Sequence, residues 1–198
     1  RGLTTSSKIN RKAMELLQPS SFTDILALLP GGRTKAPALG GVNQARLREV
    51  GVSSDDYDIS SLGTSFLVNG VPINTDANMQ HVLGASQSDH DYYRNSMGKG
   101  VDMRMLSTDF IESVEVIRGI PSVEYGELTS GVIKIQRKAG AHPWEARIKS
   151  DPESKLVYLG KGFATNKGWI FNFGFDYLDA EIDPRNNLEN YKRLSATT

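Results

Sequence analysis

The stretch "GWIFNFGFDYL", residues 168–178, constrains the fold more than any other part of the sequence, because every second residue in it is a large aromatic one. Most positions between them are polar or small, among them Asn172, Gly174 and Asp176. Successive side chains of a β-strand point to opposite faces, so this pattern predicts a strand with one aromatic and one polar face. The aromatic face consists of Trp169, Phe171, Phe173, Phe175 and Tyr177.

Similar patterns predict strands in three neighbouring segments, residues 143–151, 154–164 and 191–198. In the first of them, Trp144 and Ile148 share one face, and the other face is charged through Glu145, Arg147 and Lys149. These strands alone leave two interpretations open. The aromatic face is either buried in a soluble β-sandwich or turned to lipid in a membrane β-barrel, whose strands alternate in this way.

The residues before about 140 follow mixed patterns. Asn10 is placed to cap a helix over residues 11–17, and "SFTD" at residues 21–24 is a capping-box pattern followed by an apolar helical stripe. Asn69-Gly70 predicts a tight turn between two short strands, and residues 113–118 and 131–137 are two more strands. The predicted fold class is therefore α+β, a small mixed-sheet unit with short helices, followed by antiparallel β-strands.

Composition excludes several classes of function. Lysine plus arginine equals aspartate plus glutamate at 23 each, whereas a nucleic-acid-binding protein carries a basic patch. Cysteine is absent, so a disulfide framework, a thiolate zinc site and a cysteine nucleophile are excluded. The run Asp89-His90-Asp91 is the one candidate metal site, but three consecutive side chains do not easily converge on one ion. We therefore predict no enzymatic activity, catalytic residue, cofactor or metal.

Three segments in the order "SFTDILALLPG", "FLVNGVPIN" and "DFIESVEVIRGIPSVEYGELTSGVIKIQRK" resemble the plug domain of TonB-dependent outer-membrane receptors. The resemblance covers roughly residues 9–138, and it departs from the family pattern at Asn69, where the family has aspartate. It implies a plug domain over residues 1–140 and the first strands of a truncated outer-membrane β-barrel over residues 141–198. We expect the chain to be part of a longer receptor.

The resemblance also implies a function. Such a plug gates an active transporter of the bacterial outer membrane, which binds a scarce or bulky extracellular nutrient and releases it to the periplasm when TonB pulls. TonB would act through an upstream segment that is not evident in this sequence, and the barrel would be the second partner. A siderophore, haem, cobalamin, a glycan and a peptide all remain open as cargo. The alternative is a soluble secreted β-rich adhesion or ligand-binding module.

Two sets of site residues follow from the resemblance. The loop after "NGVPIN" is expected to face the ligand through Asn74, Asp76, Asn78, Met79, Gln80 and His81. The motif at the end of the predicted strand 113–118 is expected to fasten the plug to the barrel through Arg118, Gly119, Tyr125 and Gly126. In this latch, the guanidinium of Arg118 would pair with a carboxylate of the barrel wall.

Overall fold

The computed structural model describes residues 5–30, 39, 45, 47, 64–73, 101–119, 125, 131–181, 185 and 190–198. Its strands form two sheets, one of five strands and one of four. The first sheet has the order β1-β4-β5-β2-β3. Its members are β1 (Thr5–Asn10), β2 (Thr64–Val68), β3 (Val71–Pro72), β4 (Ile111–Arg118) and β5 (Gly131–Arg137). The sheet is mixed, as predicted, since β2 pairs with β5 in parallel and every other pair is antiparallel.

Two short helices belong to the same unit, α1 (Arg11–Leu17) and α2 (Phe22–Leu26). The Asn10 side chain accepts a hydrogen bond of 3.0 Å from the Ala13 amide, and Ser21 and Asp24 form a complete capping box. Both caps confirm the prediction from the sequence. They satisfy amide groups that the first turn of a helix leaves without a partner. Two single 3₁₀ turns, Met103–Met105 and Thr108–Phe110, lead into β4.

One apolar core joins the helices to the first sheet. The stripe predicted on α2 is buried, and the Phe22 ring lies 5.9 Å from the Phe66 ring of β2. The core also contains Met14, Ile25, Leu26, Leu29, Met103, Val114, Val116, Ile133 and Ile135. Removing a buried phenylalanine side chain such as Phe22 leaves a cavity and costs roughly 3–5 kcal/mol.

The predicted tight turn joins β2 to β3. Asn69 and Gly70 both have a positive φ, 50° and 85°, as a two-residue hairpin turn of the primed type requires. The Asn69 side-chain oxygen also accepts a hydrogen bond of 2.9 Å from the Arg137 amide at the end of β5. The amide side chain therefore both tolerates the turn and fastens it to the neighbouring strand.

Strand β1 was not predicted, because its sequence is polar and only Ile9 of its six residues is buried. It pairs antiparallel with β4 from Thr5 opposite Arg118 to Asn10 opposite Ser113. An edge strand is held by its backbone hydrogen bonds and needs no apolar alternation. The segment before α1 is therefore part of the sheet.

The second sheet is an antiparallel meander in sequence order. Its strands are β6 (His142–Ser150), β7 (Ser154–Ala164), β8 (Ile170–Ala180) and β9 (Tyr191–Thr197). All four strands confirm the prediction from alternation, and the turn between β7 and β8 contains Gly168 at a φ of 83°. Within the described residues, no helix has the length and hydropathy needed to cross a membrane.

Candidate functional site: the contact between the two sheets

The second sheet has two unlike faces. Its inner face is turned to the first unit and carries charged side chains, glycines and a few apolar ones. Its outer face is turned away and carries exposed apolar side chains, including Trp144, Ile148, Leu159, Phe163, Phe171, Phe173, Phe175 and Leu194. The candidate functional site is the set of contacts that the inner face makes with the first unit.

The centre of this contact is an ion pair between Asp109 and Arg147 of β6. Asp109 lies in the 3₁₀ turn just before β4 and is only 1% exposed. The Arg147 Nη2 donates to its Oδ2 at 2.6 Å, while the Arg147 Nη1 donates to the Pro19 carbonyl at 3.1 Å. One guanidinium thus binds two separate segments of the first unit.

Lysine 149, two residues further along β6, extends this contact. The Lys149 Nζ donates to the Ser20 hydroxyl at 2.7 Å and to the Gln18 carbonyl at 3.2 Å. The Thr108 hydroxyl donates to the Pro19 carbonyl at 3.2 Å and so holds the two binding segments together. We call this group the seat; it consists of Arg147 and Lys149 with Asp109, Thr108 and residues 18–20.

A second ion pair lies between β8 and β9. The Arg193 Nε donates to the Asp176 Oδ1 at 2.7 Å, and both residues are buried. The Arg193 Nη1 reaches across to the Arg104 carbonyl of the first unit at 2.8 Å. Arg104 is itself held by hydrogen bonds to Asp102, and its guanidinium lies 4.4 Å from the centre of the Tyr191 ring.

An aromatic contact completes the site. The Phe110 ring, next to Asp109 in the chain, meets the Tyr158 ring of β7 edge to face at 5.6 Å. It lies over Gly174 of β8, where a β-carbon would come within 2.2 Å of the Phe110 ring. Gly174 is paired with Gly160 on β7, so two glycines face each other across the strands at this level. The missing side chain at Gly174 leaves a notch that the Phe110 ring fills.

Burial governs the electrostatics of the seat. Desolvation raises the pKa of the Asp109 carboxyl above its ordinary value of 3.8, and Asp176 raises it further, while Arg147 and Arg11 lower it. Among the buried side-chain atoms that make no hydrogen bond in the described part of the chain are Arg147 Nε, Asp176 Oδ2 and Arg193 Nη2. Buried ion pairs of this kind gain little net free energy, because desolvation offsets the attraction. The contacts of the seat therefore fix the geometry between the two sheets but contribute little net free energy to holding them together.

The residues predicted from the plug motif lie at the other end of β4. Arg118 is its last residue, and its Nη1 donates to the Pro30 carbonyl at 2.9 Å. Gly119 follows with a backbone φ of 101°, a value that residues other than glycine rarely adopt. The Tyr125 ring lies 5.0 Å from the Lys134 Nζ. Pairing of Arg118 with a barrel-wall carboxylate therefore stays a prediction.

Several predicted residues lie outside the described part of the chain. They are Gly126 of the latch, the whole ligand-facing loop and the run Asp89-His90-Asp91. Among the residues that are described, no group of three His, Cys, Asp or Glu side chains is placed to hold a metal ion.

Sequence reasoning found one side of the seat and missed the other. Alternation placed Arg147 and Lys149 on a common charged face, as observed. It did not single out Asp109 or the ion pair of Asp176 with Arg193. Asp109 is 38 residues from its partner, and the available signal was only an acidic residue just before an apolar strand.

The described part of the chain is thus an α+β protein in which buried ion pairs and their further hydrogen bonds join a mixed-sheet unit to an antiparallel sheet. The comparisons with known proteins then give the family. The family model of the TonB-dependent receptor plug domain matches residues 2–133, and the chain belongs to this family. No curated protein matches the sequence at a significant level.

Solved receptors share the fold. The siderophore receptor PirA from Acinetobacter baumannii matches with a TM-score of 0.58 and 21% identity over 90% of this chain and 25% of its own. A double mutant of the ferric enterobactin receptor PfeA from Pseudomonas aeruginosa matches with a TM-score of 0.56 and 17% identity, over 88% and 24%. The chain thus spans about a quarter of the length of these receptors, and the match includes more than the plug family region.

Proposed function

We propose that this chain is the gating region of an active transporter of the bacterial outer membrane. Residues 1–140 form its plug and residues 141–198 its first barrel strands. The observation that supports this best is the seat, in which a unit of the plug family binds the charged inner face of a sheet whose outer face is aromatic. A barrel wall with a polar lumen and a lipid-facing exterior has this distribution of side chains.

The seat suits a plug that must leave its place and return. At rest, Arg147 and Lys149 hold residues 18–20 and Asp109 against the wall. When TonB pulls on a segment upstream of the plug, water replaces these contacts and solvates both members of each pair. The free energy needed is moderate, because desolvation has already offset most of the attraction in the closed state. The chain supplies no chemical step; the proton-motive force drives the pull through TonB.

The cargo is proposed only as a class, a scarce or bulky extracellular nutrient. It would meet the plug at the loop with Asn74, Asp76, Asn78, Met79, Gln80 and His81. Two of the matching solved proteins are named as receptors for ferric enterobactin and for a siderophore, which makes ferric siderophores the first ligands to test. Haem, cobalamin, oligosaccharides and peptides complete the panel for binding to the purified, complete receptor.

The latch residues keep their proposed role. Arg118, with Gly119, Tyr125 and Gly126, would fasten the far end of β4 to a wall carboxylate outside this chain. The test is Arg118→Ala in the complete receptor, with hydrogen exchange of β4 measured beside cargo binding and uptake. Faster exchange and altered uptake with unchanged binding support the latch, whereas unchanged exchange and uptake show a solvated strand end.

Gating itself is tested by a cross-link across the seat. Cysteines at Ser20 and Lys149 are joined by a short bismaleimide, since a lysine-length gap is too wide for a disulfide. A third cysteine at the exposed Lys12 of α1 is blocked during cross-linking by a reversible reagent and then freed. In living cells, a membrane-impermeant maleimide should label position 12 faster when TonB is energised than after a protonophore.

The cross-link should abolish this difference, while a control with cysteines at Ser20 and Lys12 but with Lys149 unchanged should keep it. Equal labelling of the uncross-linked receptor with and without energy would overturn the gating proposal. A receptor that fractionates away from the outer membrane would overturn its localisation.

A further inference from the structure

One cation lies inside the aromatic part of the outer face. Alternation places Lys161 of β7 on the outer face, where its cross-strand neighbour on β8 is Phe173. The Lys161 Nζ lies 5.1 Å from the centre of the Trp144 ring. Phe163, two residues further along β7, packs against two rings of β8, and its ring centre lies 6.1 Å from that of Phe171 and 5.3 Å from that of Phe173. The Lys161 ammonium thus lies over the Trp144 ring, on a face that is otherwise apolar at this level.

The outer face is organised in rows across the strands. At the end away from Lys161, Ser150, Lys155, Asp179 and Lys192 form one polar row. The next two rows are apolar or aromatic, one through Ile148, Val157, Tyr177 and Leu194 and one through Ala146, Leu159, Phe175 and Ala196. On the described part of this face, Lys161 is the one charged side chain between the polar row and the turn that joins β7 to β8.

The rows give the depth of Lys161 in a membrane. From Lys155 to Lys161 the strand advances about 20 Å, which is about 15 Å along the membrane normal at a tilt of roughly 40°. An apolar band about 25 Å tall that begins at the polar row therefore ends near Ala164, at the turn. Lys161 lies about 10 Å inside this limit, and a lysine side chain extends about 6 Å toward water. Its ammonium comes close to the membrane surface without reaching bulk solvent.

We infer that Lys161 and Trp144 form a binding site for the phosphate of an anionic phospholipid at the edge of the barrel; the inference rests on the proposed membrane location. Among the described residues, the ammonium contacts the Trp144 ring and no carboxylate. A lipid phosphate supplies the missing negative charge at the required depth. The indole N–H of Trp144 is a further donor, and Lys167 in the turn adds a second positive charge on the same edge.

The experiment uses the complete receptor, purified in detergent and stripped of lipid, with phosphatidylglycerol added during native mass spectrometry. The wild type should retain phosphatidylglycerol, and Lys161→Met should weaken the tightest lipid-binding event about fivefold. Lys161→Arg should restore it. Lys12→Met removes the same charge from α1 of the plug, away from the outer face, and should leave lipid binding unchanged.

Each other outcome has a definite meaning. Equal affinity of wild type and Lys161→Met would overturn the site while leaving the transporter proposal intact. Equal retention of an uncharged diacylglycerol would overturn phosphate recognition. Preference for lipid A over phosphatidylglycerol would place the site in the other leaflet and overturn the phospholipid assignment. A receptor that is soluble without detergent would instead contradict the proposed membrane location.

Discussion

The two faces of the second sheet are built from the same four strands, yet their side chains follow opposite rules. On the inner face, Asp176 and Arg193 are buried and paired, and Gly174 leaves room for a ring of the plug. On the outer face, the next residue along each strand is exposed, as Phe175 and Leu194 show. Alternation thus lets one strand meet two different environments at once. Neighbouring residues in the sequence should therefore respond very differently to substitution.

The largest difference is expected between Arg193 and Lys192. Arg193→Met leaves the fully buried Asp176 without its partner and should destabilise the receptor by roughly 3–5 kcal/mol. Lys192→Met breaks a pair with Asp179 in which the lysine is 66% exposed, and should cost at most about 1 kcal/mol. Thermal unfolding of both variants in detergent measures the contrast. Equal losses would show that the two faces share one environment.

The next effect is expected at the seat. Arg147→Met removes the partner of the buried Asp109 and should weaken the plug's attachment by about 2–3 kcal/mol. The loss should be smaller than at Arg193, because the Arg147 side chain is 16% exposed and that of Arg193 is 4% exposed. The double variant with Asp109→Asn should recover part of the loss, since no charge is then left unpaired. Guanidinium titration, followed by a dye on a cysteine at Lys12, reports release of the plug. Additive losses in the double variant would contradict the pairing.

A smaller effect is expected from filling the notch. Gly174→Val places methyl groups where the Phe110 ring lies and should cost about 1–3 kcal/mol. Ala146→Val adds similar volume on the exposed outer face and should change stability by less than about 0.5 kcal/mol. Hydrogen exchange in β4 separates the two, because only the first should loosen the turn before that strand. Unchanged exchange in Gly174→Val would mean that Phe110 has another place to pack.

The smallest effect is a dependence on pH. Because the pKa of Asp109 is raised in the folded protein, the unfolded chain releases this proton first as pH rises. Its contribution to stability is therefore fully present below pH 3.8 and is lost as pH rises through the raised pKa. Guanidinium midpoints of wild type and Asp109→Asn, measured from pH 3 upward, should diverge in that direction. Parallel curves would show that Asp109 titrates normally.

Local chemistry made most of the fold predictable. The predicted strand at residues 154–164 coincides with β7, because its alternation is encoded locally. The caps at Asn10 and Ser21 and the turn at Asn69-Gly70 were found for the same reason. Strand β1 was missed because it pairs with β4 through backbone hydrogen bonds, and its side chains show no apolar alternation that would predict a strand.

The candidate site was less predictable, since its contacts join distant segments. The charged positions of β6 could be assigned to one face, but their partners at Gln18, Ser20 and Asp109 depend on how the plug is placed against the sheet. A resemblance to the family directed attention to Arg118 at the opposite end of β4. The alternation of a strand predicts which face a side chain lies on, but it does not predict which residues of a distant segment contact that side chain.

The notch at Gly174 restricts how the plug can be positioned along the second sheet. Gly174 and Gly160 face each other across two strands, and the Phe110 ring lies over Gly174 next to the ion pair of Asp109. A plug that slid along the wall by one residue pair, about 7 Å, would press Phe110 against Asn172 or Asp176 instead. The fit of the Phe110 ring over Gly174 therefore favours one register of the plug against the second sheet, independently of the ion pairs. In the gating cycle proposed above, the fit of the Phe110 ring over Gly174 would therefore align the returning plug, and a shifted register would be excluded by steric clash.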